Sequence, residues 1–245
     1  MTDALSGRSV VITRSAAQNA SLRTLLEARG ARVVEVPLIA IEEPEDEGRE
    51  RDEVLQRIHE FDWVVVTSTN GAERVAPLVA AAMAAGDTDS FPLLAAVGAA
   101  TANTLGTTVS MVAEPARASV LAENFPTGAG RVLLVQGNLA DDELTLALAA
   151  KGWDVTKVVA YRTAHLRPTR EMMLPALAAD VLLLASGSAA GAWHDAFGTS
   201  VPPVVASIGP STTRTAERLG IPVTVTAGEQ TLEALIQAAA NSIGA

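Results

Sequence analysis

The sequence predicts an α/β protein built from doubly wound parallel sheets, and predicts that unit twice over. Three observations carry the prediction. Short runs rich in Val, Ile and Leu alternate with helix-spaced segments, the pattern of strands joined by crossover helices. Most of those runs are apolar throughout rather than alternating, as parallel strands covered on both faces are. Finally, the chain repeats itself. Arg8-Ser-Val-Val-Ile, a helical stretch to Gly30 and Arg32-Val-Val-Glu-Val return as Arg131-Val-Leu-Leu-Val, a helical stretch to Gly152 and Asp154-Val-Thr-Lys-Val. Asp62-Trp-Val-Val-Val-Thr67-Ser68 returns as Asp180-Val-Leu-Leu-Leu-Ala185-Ser186, and Ala96-Val-Gly98-Ala-Ala-Thr101 as Ser207-Ile-Gly209-Pro-Ser211-Thr212.

In chain order the strand candidates are 9–13, 32–36, 38–41, 63–67, 94–97, 109–112, 131–135, 155–161, 181–184, 204–208 and 223–226. A helix is expected over 18–29, where Leu22, Leu25 and Leu26 share a face and Gly30 stands as the C-terminal cap. A second is expected over 141–150, with Leu144 and Leu148 one turn apart and Gly152 closing it. Further helices follow Gly98 and Gly209 and end near Gly106 and Gly220. Ala80–Ala85 reads as helix from alanine's propensity. The charged run 42–53 reads as a solvated loop entering a helix. Thr127-Gly-Ala-Gly130 reads as a linker between the two halves.

Composition narrows the function. The 245 residues suit two domains, and 49% hydrophobic with 19% charged residues is the balance of a packed globular chain. With no cysteine, disulfides and thiolate metal sites are excluded. His59, His165 and His194 lack ligand spacing, so no metal is expected. No apolar run reaches the roughly 18 residues of a membrane span, and no signal segment is apparent, so a cytoplasmic protein is expected. A formal charge of −10 argues against nucleic acid, though not against a small anion held by backbone N–H groups.

The motifs point the same way by elimination. Gly128-Ala-Gly130 precedes a strand and lacks the third glycine of a dinucleotide turn. No phosphate-binding loop of the Gly-Lys-Ser/Thr type is present. His194-Asp195 near Ser186 and Ser188 suggests a hydrolase triad, yet no nucleophile elbow exists and adjacent helical residues point apart. What remains is a set of hydroxyl and glycine residues directly after apolar runs, where α/β units present binding loops. Thr67, Ser68, Asn70 and Gly71 form the densest polar turn, echoed by Ser186, Gly187 and Ser188. Their oxygens and N–H groups suit a carboxylate or phosphate, and equally suit helix capping. Thr101 and Thr212 follow Gly98 and Gly209 by three residues, as caps or ligand donors. Arg14 is a cation at a strand end, suited to a surface ion pair or an anion. Tyr161, the single tyrosine, is either a packing residue or a neutral proton donor.

In order and spacing, these residues resemble the uroporphyrinogen-III synthase family over almost the whole chain. The resemblance rests on Val-Ile-Thr-Arg14, Thr67-Ser-x-Asn-Gly71, Val97-Gly-x-x-Thr101, Gly137-Asn138, Val-x-x-Tyr161-x-Thr163, the serine turn at 186–188, Ile208-Gly-Pro-Ser211-Thr212 and Thr226-Ala. It implies two flavodoxin-like domains joined by a two-stranded ladder. The first domain is then 1–37 with 164–245, the second 42–158, and 38–41 with 159–163 the hinge strands. It further implies cyclisation of hydroxymethylbilane with loss of water and inversion of ring D, without a cofactor; separately, a monomer is expected. The substrate is a linear tetrapyrrole polycarboxylate, held by Arg14 and the turns above, including Gly137, Asn138 and Ser211, with Tyr161 as the catalytic donor. Two departures stand out: Ala140-Asp-Asp-Glu143 where a basic residue is common, and Ser-Gly-Ser at 186–188. The competing reading is a cofactorless ligand-binding or regulatory protein of periplasmic-binding-like plan.

Overall fold

The structure, a computed structural model, describes residues 3–86 and 91–243. The chain divides into two compact units, Met1–Ala40 with Ala164–Ala245 and Ile41–Thr163.

The first unit contains β1 (Ser9–Ile12), α1 (Ala16–Glu27) and β2 (Arg32–Glu35), then, much later, α7 (Arg170–Leu177), β9 (Val181–Leu184), α8 (Gly187–Phe197), β10 (Val204–Ser207), α9 (Pro210–Arg218), β11 (Val225–Thr226) and α10 (Leu232–Ile243). Its sheet is parallel, in the order β11-β10-β9-β1-β2. Numbered within the unit, that is the flavodoxin order 2-1-3-4-5. The second unit contains α2 (Arg49–Leu55), a single 3₁₀ turn (Ile58–Glu60), β4 (Trp63–Val66), α3 (Thr69–Ala85), β5 (Leu93–Val97), α4 (Ala99–Leu105), β6 (Met111–Ala113), α5 (Ala118–Asn124), β7 (Arg131–Gly137) and α6 (Glu143–Ala150). The chain passes between the units within β3 (Ile39–Glu42) and β8 (Asp154–His165), and the second sheet runs β3-β8-β7-β4-β5-β6.

The repeat explains both sheets. Substituting each strand by its echo turns β2-β1-β9-β10-β11 into β8-β7-β4-β5-β6, which is the spatial order of the second sheet once β3 is set aside at its edge. Only the connectivity differs. In the first unit the strand–helix–strand pair precedes the three-strand part in the chain; in the second it follows, giving 3-2-1-4-5. The flavodoxin connectivity expected of both domains therefore holds for the first alone. The second is the same layout circularly permuted.

Continuous apolar strands are buried because helices cover both faces. In the second unit Val64, Val66, Leu133 and Val135 fill one face, while Trp63, Val65, Val132 and Leu134 fill the other. In the first, Val11, Leu182 and Leu184 oppose Val10, Ile12, Val181 and Leu183. Truncating one such buried leucine to alanine costs about 2–5 kcal/mol.

The expected caps form. Ala31 N donates to Leu26 O and Gly30 N to Glu27 O, with Gly30 at φ 77°, a Schellman closure of α1. Ile221 and Gly220 repeat it on Ala216 and Glu217, closing α9. Two expectations need correction. Thr127–Gly130 is no linker, since it lies inside the second unit; a Cβ at Gly128 would collide with the Trp153 ring. Close approach is what this glycine permits. The Arg8–Arg131 match is also one residue out. Ser9 N and Arg131 N each donate at 2.8 Å to the aspartate that opens the neighbouring strand of the sheet, Asp180 and Asp62, and the carbonyls of Ser9 and Arg131 accept from the backbone N–H of those aspartates. Ser9 is thus the structural counterpart of Arg131.

Candidate functional site

In a parallel doubly wound sheet ligands bind outside the carboxyl ends of the strands, where the strand order reverses. The first unit reverses between β1 and β9, the second between β4 and β7. The residues singled out in the sequence fall at these ends, in two separate groups.

In the first unit Arg14 follows β1, Ser186, Gly187 and Ser188 follow β9, and Gly209, Ser211 and Thr212 follow β10. Arg14 is half-buried, and among the described residues it has no carboxylate partner. Burial pushes its pKa below the ordinary guanidinium value. Near it in sequence, Thr13 Oγ1 and Asn19 Oδ1 are buried without a partner among the described residues, and no motif or periodicity signalled either. Ser186 Oγ accepts from Ala189 N at 3.1 Å and lies 2.9 Å from Ser188 Oγ, so it caps α8. Thr212 is buried at the third position of α9, not at its cap, which is Gly209. Sequence reasoning also missed a hydroxyl cluster. Thr213 Oγ1 lies 2.5 Å from Ser207 Oγ and 2.7 Å from Thr226 Oγ1, tying the β10 turn to β11.

In the second unit Thr67, Ser68, Asn70 and Gly71 follow β4. Ser68 Oγ accepts from Gly71 N at 3.1 Å, the same cap that Ser186 makes. Gly98 caps α4 at φ 87°, and Thr101 is buried at the third position of that helix, again not the cap. A Cβ at Gly98 would lie 2.6 Å from Ala116 Cβ, so the segment after β6 closes over this turn. Gly137 ends β7 and Asn138 follows it, both against Tyr161 of β8. A Cβ at Gly137 would lie 2.7 Å from Tyr161 Cζ, so the phenol ring rests on the glycine. Asn138 N donates to Tyr161 O at 3.2 Å, and Asn138 Oδ1 accepts from Thr163 N at 2.8 Å. Tyr161 is 9% exposed, and its hydroxyl bonds no protein group among the described residues.

The acidic departure after Asn138 is local chemistry. Asp141 Oδ1 accepts from Glu143 N at the start of α6, and Asp142 pairs with Lys157. The discarded triad stays discarded: Asp195 Oδ2 lies 2.6 Å from His165 Nδ1, while the Ser186 hydroxyl is occupied by its cap.

Doubly wound parallel strands with hydroxyl and glycine turns at their carboxyl ends define each unit as α/β. The comparisons narrow the class. Residues 20–237 match the family model described as uroporphyrinogen-III synthase HemD. The uroporphyrinogen-III synthase of Synechococcus elongatus is 30% identical over 267 residues, covering 96% of this chain and 95% of that one. The chloroplastic enzyme of Oryza sativa subsp. japonica is 29% identical, covering 86% and 73%. In fold, the chain is similar to a mutant uroporphyrinogen III synthase of the extreme thermophile Thermus thermophilus, with a TM-score of 0.67 at 19% identity, covering 98% and 99%. The Helicobacter pylori 26695 enzyme gives 0.57 at 18%, covering 94% and 97%. The chain belongs to the uroporphyrinogen-III synthase family, and its activity is that of a cyclising lyase in tetrapyrrole biosynthesis.

Proposed function

We propose that the carboxyl-end turns of both units hold hydroxymethylbilane and that Tyr161 protonates its departing hydroxyl. The reading is carried by one observation: the single tyrosine rests on Gly137 near the β4/β7 reversal with a hydroxyl that no described protein group engages. A phenol O–H is a hydrogen-bond donor and so suits this step. The carbon–oxygen bond breaks, the hydroxyl leaves as water with the donated proton, and the pyrrole electrons stabilise the resulting azafulvene. The methylene carbon so freed bonds to the substituted carbon of ring D, giving a spiro intermediate. The bond from that carbon to its original bridge breaks, and the bridge rebonds at the free position of ring D. The proton lost there balances the one donated, and the ring is left inverted. Positioning dominates, because unguided closure gives the other isomer.

Backbone N–H groups at the starts of α3 and α8 suit the substrate's carboxylates, with Arg14 as a cation that no described carboxylate pairs. The residues of 38–41 and 159–163 act as a hinge between a body of 1–37 with 164–245 and a body of 42–158, in a monomer. Small-angle scattering at saturating product should show compaction; identical profiles remove the hinge. The decisive test of function supplies enzymatically made hydroxymethylbilane and separates the product isomers. The type III isomer is expected, and type I alone at the spontaneous rate refutes the reading.

A further inference from the structure

The charged run leading into α2 is not wholly solvated, contrary to its pattern. Arg51 is buried, with only a tenth of its side chain exposed. Its Nη1 donates to Glu43 Oε2 at 2.5 Å and to the carbonyl of Ala160 at 3.0 Å, and its Nε to Asp52 Oδ1 at 2.7 Å. Arg74 on α3 holds the other oxygen of Glu43 at 3.1 Å. Gly48 makes room: its φ is 80°, and a Cβ there would overlap Arg51 Nη2.

The carbonyl that Arg51 grips belongs to a special residue. The β7–β8 ladder pairs Gln136 with Val159 and then Gly137 with Tyr161, so Ala160 is the extra residue of a bulge. The bulge breaks the period of two. Val158, Ala160 and Tyr161 all reach one core cluster, although Ala160 and Tyr161 are adjacent and an unbulged strand would send them to opposite faces. Bulges near active sites re-aim side chains in this way. Here the re-aimed side chain is Tyr161, turned onto Gly137.

We propose that Arg51 is a positioning residue for the cyclisation, holding the bulged carbonyl of Ala160 and thereby aiming the Tyr161 phenol. The proposal rests on the proton-donor reading of Tyr161. The clamp is charged at neutral pH. Hydrogen bonding to Asp52 and Glu43 outweighs burial and raises the Arg51 pKa; at Glu43, burial is outweighed by Arg51 and Arg74, which hold its carboxyl below the usual range. A lysine offers a point charge in place of a fork and cannot reproduce all three contacts.

Because Tyr161 is the single tyrosine, protein labelled with 3-fluorotyrosine gives one ¹⁹F resonance that reports its environment. In Arg51→Met that resonance is expected to move and broaden, with kcat lowered roughly tenfold to a hundredfold, the effect of a small misplacement, and KM little changed. Arg51→Lys recovers part of both. In a Tyr161→Phe background, Arg51→Met adds less than about a twofold loss, since the residue it aims is gone. Should Arg51→Met fail to fold, Gly48→Ala crowds the guanidinium and supplies the same readouts. An unmoved resonance overturns the proposal, as does an Arg51→Met loss of the same size with and without the phenol. If Tyr161→Phe alone leaves kcat intact, the donor reading falls and the aim of Tyr161 has no role in the reaction; the resonance then separates that failure from a failure of Arg51 to hold the ring.

Discussion

The two units share one strand layout and use it differently. In the first, the residues between β10, α9 and β11 are Ser207, Thr213 and Thr226, a hydroxyl cluster. Their counterparts in the second, by the strand registers, are Ala96, Ala102 and Val112, all apolar. Conversely, the second unit carries the buried Arg51 clamp and the bulge at Ala160, whereas β1 and β2 pair without a shift. A duplicated scaffold thus keeps what packing requires, the strand order and serine caps, and diverges in the polar groups around its turns. The proposed proton donor belongs to the second unit.

The largest expected effect tests that asymmetry. Tyr161→Phe should lower kcat by roughly 10²-fold, the scale of general acid assistance, with an unchanged circular dichroism spectrum. No substitution at a hydroxyl of the first unit, Thr212→Ala included, should approach that loss, because backbone donors remain. Equal losses from Tyr161→Phe and Thr212→Ala dissolve the asymmetry.

Next come the paired glycines. Gly98 has φ 87° and ψ 154°, a region held essentially by glycine, and faces Ala116, so Gly98→Ala combines a backbone penalty of about 1–3 kcal/mol with crowding of about 1–3 kcal/mol. Gly209 is extended at φ 176°, and its neighbour is the flexible Gln230 side chain. Gly209→Ala should stay within about 1 kcal/mol in urea unfolding, given how cheaply that side chain moves aside. Matching destabilisations would mean the turns are equivalent after all.

The strand-opening aspartates differ more modestly. Asp180 accepts from Ser9 Oγ, Ser9 N and Arg8, while Asp62 accepts from Arg131 N. Asp180→Ala strands more donors and should lose about 1–3 kcal/mol, Asp62→Ala less. The hydroxyl and amide of Ser9, then Arg8, hold the Asp180 carboxyl below its usual range. A lowered folded pKa gives stability that is present above the unfolded value of about 4 and is lost as pH falls through the folded one. Asp180→Asn should therefore flatten the stability profile below about pH 4. A profile parallel to the parent's in that window contradicts the assignment.

The smallest effect converts one unit into the other. Thr213→Val alone leaves buried hydroxyls short of a partner and should cost about 1–2 kcal/mol. Ser207→Ala, Thr213→Ala and Thr226→Val together reproduce the second unit's apolar set and should come within about 1 kcal/mol of the parent, since removing all partners leaves nothing stranded. A triple variant worse than the single one shows that the cluster is more than a packing alternative.

The sequence alone determined what chain neighbours decide. Strand positions came from unbroken apolar runs, helix ends from Gly30, Gly152 and Gly220, and turn residues such as Ser68 and Ser186 from their place just after a strand. The ordered motifs also determined the family, because its signature lies in short turns that are encoded locally. Tertiary structure alone decided the rest. The register of β1 against β9 is set by Asp180 reaching Ser9 across the chain, which shifted the apparent repeat by one residue. A composition of charges made 42–53 look solvated, but Arg51 is buried because Gly48 and the Ala160 carbonyl, distant in sequence from one another, give its guanidinium both room and an acceptor. The bulge at Ala160 that turns Tyr161 onto Gly137 has no local signature either. It exists only as a mismatch between two paired strands, and pairing is a property of the folded sheet.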